Sequence, residues 1–65
     1  MGEILTPMGV RRQIEREGFG TQPTIRRALR GDYDAANRKV RRKAERIRQR
    51  ALALGGVEAA EKKSH

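Results

Sequence analysis

Residues 18–31 read Gly-Phe-Gly-Thr-Gln-Pro-Thr-Ile-Arg-Arg-Ala-Leu-Arg-Gly, and this stretch decides the fold that the sequence predicts. Its first two glycines can adopt backbone conformations that other residues resist, so they predict a turn around Phe19. Thr21 is a typical helix N-cap, proline is tolerated in the first turn, and Gly31 is a typical helix end. We therefore predict a helix over 22–30. Its expected apolar stripe consists of Ile25, Ala28 and Leu29.

Two further helices are predicted, one on each side of this stretch. Thr6-Pro7 is a typical helix start, which predicts a helix over about 7–17. After the second helix, apolar residues recur at spacings of three and four until a pair of glycines, which predicts a third helix over about 35–54. The expected N-cap of the third helix is Asp32 or Asp34.

The predicted fold is an all-α domain of three helices. No segment alternates polar and apolar residues, so no strand is predicted. The domain is expected to span 1–56, and residues 57–65 are expected to form a flexible tail because they hold few large apolar side chains. A chain of 65 residues buries only about 60% of its unfolded surface, so we expect a thin core. The predicted core residues are Met8, Val10, Ile14, Phe19, Ile25, Leu29, Tyr33, Val40, Ile47 and Leu54.

The composition restricts the classes of function. Sixteen Lys and Arg residues against eight Asp and Glu residues give a net charge of +8, which favours a polyanionic partner. The chain has no cysteine and a single histidine, His65, so we expect neither a metal site nor a cofactor. The paired carboxylates Asp32/Asp34 and Glu15/Glu17 are two residues apart, where they do not face each other on a helix, so we do not expect an enzyme.

No segment has the features of a membrane protein or a secreted protein. No apolar run approaches the roughly 18 residues that a spanning helix needs, and the first residues lack the basic-then-apolar order of a signal peptide. We therefore expect a cytoplasmic, nucleoid-associated protein. Neither a membrane nor a small-molecule ligand is an expected partner.

The basic residues fall into two clusters. The larger cluster lies in 38–50, where eight basic residues accompany one acid, Glu45. Like charges four residues apart on a helix repel each other by a few tenths of a kcal/mol, a cost that is offset when a polyanion binds. The smaller cluster consists of Arg26, Arg27 and Arg30. Both clusters are candidates for phosphate contact, and the alternative for each is an ordinary solvated helix face.

Residues 21–31 resemble the recognition helix of the lactose-repressor-type and Cro-like helix-turn-helix families, which typically read Ser/Thr-x-x-Thr-Val-x-Arg-x-Leu-x-Gly. Residues 47–56 are similar to the end of the helix that follows this motif in small Cro-like regulators. Together the similarity covers roughly residues 10–56. The turn around Phe19 is one residue longer than is usual in these families, and about six residues replace the helix that usually precedes the motif.

The resemblance implies a helix-turn-helix protein that binds double-stranded DNA and regulates transcription, with the helix 22–30 in the major groove. It implies that Thr21 caps this helix and that Ile25 and Leu29 anchor it. The implied base contacts are Gln22, Arg26 and Arg27, and the implied phosphate contacts are Thr21, Thr24 and Arg30. The charge of the third helix adds phosphate contacts from Arg38, Lys39, Arg42, Lys43 and Arg46.

Other interpretations of the same residues stay open. One recognition helix reads only about four to six base pairs, so useful specificity requires a second copy of the chain on a second half-site. The leading alternative is an arginine-rich RNA-binding or ribosome-associated protein that uses the helix 38–50. A third is an interaction module whose basic helix docks on an acidic or membrane surface. The apolar stripe of the third helix also fits a heptad seam, so it can pack within the chain or against a second copy.

Overall fold

The computed structural model describes residues 2–59, and this part of the chain is mostly helical with one small sheet. In chain order the elements are β1 (Ile4–Leu5), α1 (Val10–Arg16), α2 (Gln22–Arg30), α3 (Arg38–Ala53) and β2 (Val57–Glu58). Helix α2 packs against the other two helices, and β1 lies against α2 and α3. The prediction of three helices is therefore confirmed, and the helix predicted over 22–30 coincides with α2.

A glycine in the left-handed region of backbone space stands at the end of α2 and just past the end of α3: Gly31 is the C-cap of α2, and Gly55 follows Leu54, the C-cap of α3. Gly31 has a φ of 81° and Gly55 a φ of 104°, which side-chained residues rarely adopt. The backbone N–H of Gly31 donates to Ala28 O at 3.2 Å, and that of Asp32 donates to Arg27 O at 2.9 Å. This pair of hydrogen bonds satisfies carbonyl groups of the last turn, so the glycine positions determine where the helices end.

The core lies where the three helices meet and is built from small and aliphatic side chains. The buried hydrophobic residues are Ile4, Val10, Ile14, Ile25, Ala28, Leu29, Ala44, Ile47 and Ala51, with Phe19, Tyr33 and Leu54 packed against them. Most of the predicted core is confirmed. The two exceptions are Met8 and Val40, which are 102% and 39% exposed.

Helix α1 begins at Val10 and not at the predicted Pro7. Gly9 is its N-cap with a φ of 91°, and the N–H of Val10 donates to Pro7 O at 3.2 Å. Residues 6–9 therefore lead from β1 into the helix as a turn. Because Met8 lies in this turn, its side chain points to solvent and not into the core.

Helix α3 begins at Arg38, later than predicted. Asp34 closes a turn ahead of the helix, and Asn37 caps the helix itself. Asp34 Oδ1 accepts from the N–H of Ala36 at 3.1 Å, which closes a turn ahead of the helix. Asn37 is the N-cap, and its Oδ1 accepts from the N–H groups of Lys39 and Val40 at 3.1 and 3.3 Å. The prediction of Asp32 or Asp34 as the cap is therefore wrong. Val40 lies in the first turn of α3, at the rim of an open groove.

The two strands form an antiparallel pair that joins the two ends of the described chain. Ile4 lies opposite Glu58 and Leu5 opposite Val57. The prediction of no strand is therefore wrong, and Ile4 is a core residue that the sequence analysis missed. Strand β2 lies within the segment that was predicted to be a flexible tail, so the folded part extends past Gly56. Residues 60–65 of that segment lie outside the described residues.

Candidate nucleic-acid interface

Helix α2 has one buried face and one basic face. Ile25 is fully buried, and Ala28 and Leu29 are 2% and 4% exposed. On the opposite side the side chains of Arg26, Arg27 and Arg30 are all exposed. Proline in the first turn and Gly31 at the end determine the bounds of this helix, and the apolar spacing determines which face is buried. The structure thus leaves the three predicted arginines on the surface of one helix.

The side of α2 that faces α1 forms an open groove. Gln22 and Arg26, one helical turn apart on α2, line it together with Arg11 and Arg12 of α1. Arg11 and Arg12 were not among the predicted contact residues, because two adjacent basic residues in a short helix are a weak signal. This groove brings two of the predicted base-contacting residues beside two further positive charges.

Gln22 is also tied to α1 by hydrogen bonds. Its Nε2 donates to Arg11 O at 3.2 Å and to Glu15 Oε1 at 2.8 Å. These bonds link the start of α2 to the middle of α1 across the turn. Gln22 is therefore held in one orientation and is half-buried.

On the side of α2 that faces α3, Arg27 and Lys43 line a second groove. Thr24, Tyr33 and two acids, Asp32 and Asp34, line it as well. A Cβ atom placed on Gly20 would lie 3.5 Å from Thr24 Cγ2 and 3.6 Å from Lys43 Cε, so the turn, α2 and α3 converge at this point. Lys43 is thereby the residue that connects the basic face of α2 to α3.

The basic flank of α3 continues this surface. We define it by the exposed residues that line a groove with the turn 17–19: Lys39, Arg42, Lys43 and Arg46. These residues follow one another at helical spacings, so they lie along one side of α3. Within residues 2–59 no side-chain hydrogen bond or ion pair engages any of the four. Arg38 is exposed at the first position of α3 and lies outside this groove.

The remaining predicted contact residues flank α2. Arg30 lines a groove with Arg26 and with β1. Thr21 occupies the N-cap position, but its hydroxyl makes no capping hydrogen bond. The Oγ1 atoms of Thr21 and Thr24 lie 3.3 Å apart instead. The prediction of Thr21 as the N-cap residue is therefore confirmed, although its hydroxyl faces the hydroxyl of Thr24 and makes no capping hydrogen bond.

Arg48 belongs to the basic run 38–50 in sequence but is buried, with 7% of its surface exposed. Its Nη1 donates to Ala28 O at 2.8 Å and to Leu29 O at 3.3 Å, and its Nη2 donates to Gly2 O at 2.6 Å. Nη2 also lies 3.5 Å from Glu58 Oε2. Arg48 thus binds carbonyls in the last turn of α2 and both ends of the described chain.

Arg50 is used within the protein as well. Its Nε and Nη2 donate to Oε1 and Oε2 of Glu17 at 2.7 and 2.8 Å, which joins α3 to the end of α1. These hydrogen bonds, together with one from Gln13, lower the pKa of Glu17 from 4.5 to about 2. The same bonds from Glu17 raise the pKa of Arg50. Neither Arg48 nor Arg50 was a predicted phosphate contact.

Neither a membrane-spanning helix nor a metal-binding cluster occurs in the described part of the chain. Within residues 2–59 no helix combines the length and the apolar character that crossing a bilayer requires. The same residues bring together no group of three His, Cys, Asp or Glu side chains that could hold a metal ion.

No protein-family model matches the chain, and neither a curated protein nor a solved structure matches it.

Proposed function

We propose that this protein binds double-stranded DNA in a sequence-directed way and regulates transcription. In this proposal α1, the turn 17–21 and α2 act as a helix-turn-helix, and α2 lies in the major groove. The basic flank of α3 contacts the phosphate backbone beside it.

One observation carries the proposal: α2 exposes three arginines on one face while it buries Ile25, Ala28 and Leu29 on the other. A major groove of about 12 Å admits one helix, whose outer face must carry hydrogen-bond donors for base edges. Arginine supplies such donors, and its guanidinium can pair with guanine O6 and N7. Helix α2 is held in the protein by its buried face and carries such donors on its outer face, as a helix in the major groove requires.

The position of the basic flank of α3 supports the same proposal. Phosphate contacts supply most of the affinity of a DNA-binding protein, and base contacts supply its specificity. Lys43 lies beside Gly20 and Thr24, so the basic flank of α3 reaches the N-terminal end of α2. A duplex seated on α2 would therefore bring a backbone strand towards this flank.

The size of the domain supports binding as a pair. A single recognition helix reads about four to six base pairs, which is too few for useful specificity. Two copies on half-sites one helical turn apart would double the site. The expected signature in the DNA is an inverted repeat.

The proposal is tested by selecting bound sequences from a random duplex DNA pool at about 150 mM salt, a concentration that screens weak surface contacts. Single-stranded RNA is titrated alongside as a competitor. We expect a recovered motif, and an inverted repeat would also give the spacing of the dimer. Binding without a motif that RNA readily competes for would overturn the proposal and assign α3 a role in RNA binding.

The residue-level test compares Arg27→Ala with Arg16→Ala. Each removes one exposed arginine, but Arg16 lies in the last turn of α1 and was not a predicted contact. Arg27→Ala should lose the preference at one base position, about tenfold or more, because a bidentate arginine contact is worth about 1–3 kcal/mol. Arg16→Ala should retain the motif. Equal effects of the two variants would contradict base reading by Arg27.

A further inference from the structure

The side-chain amide of Gln22 is oriented by its two partners. Nε2 donates to Arg11 O at 3.2 Å and to Glu15 Oε1 at 2.8 Å. A backbone carbonyl and an ionised carboxylate can only accept hydrogen bonds. The nitrogen of the amide must therefore face both partners, and the flipped orientation would place two acceptors against a third.

This arrangement uses both amide protons of Gln22, so only Oε1 is left to meet a partner. Within residues 2–59 no hydrogen bond engages Oε1. A glutamine usually pairs with adenine through one donor and one acceptor, to N7 and from N6–H. Held as it is against α1, Gln22 offers an acceptor alone.

Gln22 also borders an open groove whose charged lining is one acid, Glu15, and three arginines: Arg11, Arg12 and Arg26. The groove therefore carries a net positive charge, and the oxygen of Gln22 is an acceptor in a groove whose charged groups are mainly donors. In the major groove, adenine and cytosine present exocyclic amino groups, N6–H and N4–H, whereas guanine and thymine present the acceptors O6 and O4. A lone acceptor is attracted by the first pair of bases and repelled by the second.

We infer that Gln22 selects adenine or cytosine over guanine or thymine at one position of the bound DNA. Glu15 is the positioning residue, because its carboxylate takes the proton that Gln22 would otherwise donate to a base. The inference rests on the proposed function, since it requires α2 to lie in the major groove.

The test is the duplex selection applied to the full chain and to two variants. In the wild type, adenine and cytosine should exceed guanine and thymine about tenfold at one position. Gln22→Ala should make that position degenerate. Glu15→Ala should release one amide proton, so that guanine and thymine recover there because Gln22 can donate to O6, N7 or O4. The matched control is Glu45→Ala, which removes the same charge from an exposed site on α3 and should leave the position unchanged.

The outcomes separate the inference from the proposal on which it rests. A wild-type motif that Gln22→Ala alters at no position would overturn the inference and leave DNA binding in place. An unchanged discrimination in Glu15→Ala would overturn it as well, because the role of the carboxylate would be refuted. If the wild type selects no motif at all, the inference and the proposed function fail together.

Discussion

The two halves of α3 are both rich in arginine, yet they use it in opposite ways. In the first half, residues 38–46, the basic side chains are exposed, and within residues 2–59 none of them is paired. In the second half Arg48 binds backbone carbonyls of α2 and Arg50 binds Glu17. The positive charge of the first half is available to a partner, and that of the second half stabilises the fold.

This difference shows that a run of basic residues is not one functional surface. Arg48 comes four residues after Ala44 and three before Ala51, so helical geometry places it on the buried face. Its guanidinium meets the C-terminal end of α2, where the helix dipole favours a positive charge. The same residue type therefore supports the fold on one face of α3 and remains solvated on another.

Arg48→Met should destabilise the fold more than the replacement of any other basic residue of α3. It removes the donor to carbonyl oxygens of Ala28, Leu29 and Gly2 while it keeps an unbranched, apolar side chain. A buried acceptor that loses its partner costs about 1–3 kcal/mol. We expect the free energy of unfolding to fall by about 3 kcal/mol, measured by urea denaturation followed by circular dichroism.

The control for this substitution is Arg46→Met, two residues earlier on the exposed side of α3. Because the exposed Arg46 makes no side-chain hydrogen bond or ion pair within residues 2–59, its replacement should change the free energy of unfolding by no more than about 0.5 kcal/mol. Similar losses in the two variants would refute the distinction between the halves.

Arg42→Ala combined with Arg46→Ala should weaken DNA binding without weakening the fold. Each exposed arginine that contacts a phosphate releases about one counterion, so the slope of log affinity against log salt should flatten by about two. The loss should be similar for all DNA sequences, about tenfold at physiological salt. Stability should stay the same or rise slightly, because two like charges four residues apart are removed. Fluorescence anisotropy of a labelled duplex across a salt series measures the slope.

The pair Arg16→Ala and Arg41→Ala removes the same net charge from exposed positions outside the basic flank of α3. This control should flatten the salt slope less than Arg42→Ala with Arg46→Ala does. An equal effect would mean that the total charge of the chain matters and that the flank does not.

The helix 22–30 could be predicted from sequence because all its signals are local. A proline in the first turn, an apolar stripe at helical spacing and Gly31 at the end act within the segment itself. The starts of α1 and α3 were predicted too early, since Pro7 and Asp34 form turns that precede the helices. The exposed position of the predicted arginines also follows from spacing, whereas their contact with DNA stays a prediction.

The sheet and the contacts of Gln22 depend on long-range geometry. Strands of two residues are too short to show an alternating pattern, and β1 pairs with a strand at the opposite end of the described chain. The bonds from Gln22 to α1 depend on how α1 and α2 cross. The spacing of Arg48 from Ala44 places it on the buried face of α3. Arginine is so seldom buried, however, that the residue type predicts an exposed position.

The ion pair between Glu17 and Arg50 gives the smallest effect, and it depends on pH. The pKa of Glu17 is lowered from 4.5 to about 2 by the hydrogen bond from Arg50. Between these two values the unfolded chain binds more protons at Glu17 than the folded protein does. The stabilisation is therefore fully present above about pH 4.5 and is lost as the pH falls towards 2.

Two variants isolate this contribution from that of the other acids. Glu17→Gln should be slightly less stable than the wild type at neutral pH, and its urea midpoint should fall less between pH 4.5 and 2. Glu45→Gln neutralises an exposed acid that makes no side-chain hydrogen bond or ion pair within residues 2–59, so its pH dependence should follow the wild type. The difference should shrink at high salt, because the pair lies at the surface. If Glu17→Gln and the wild type lose stability in parallel, Arg50 does not stabilise the fold through Glu17, and only Arg48 distinguishes the second half of α3 from the first.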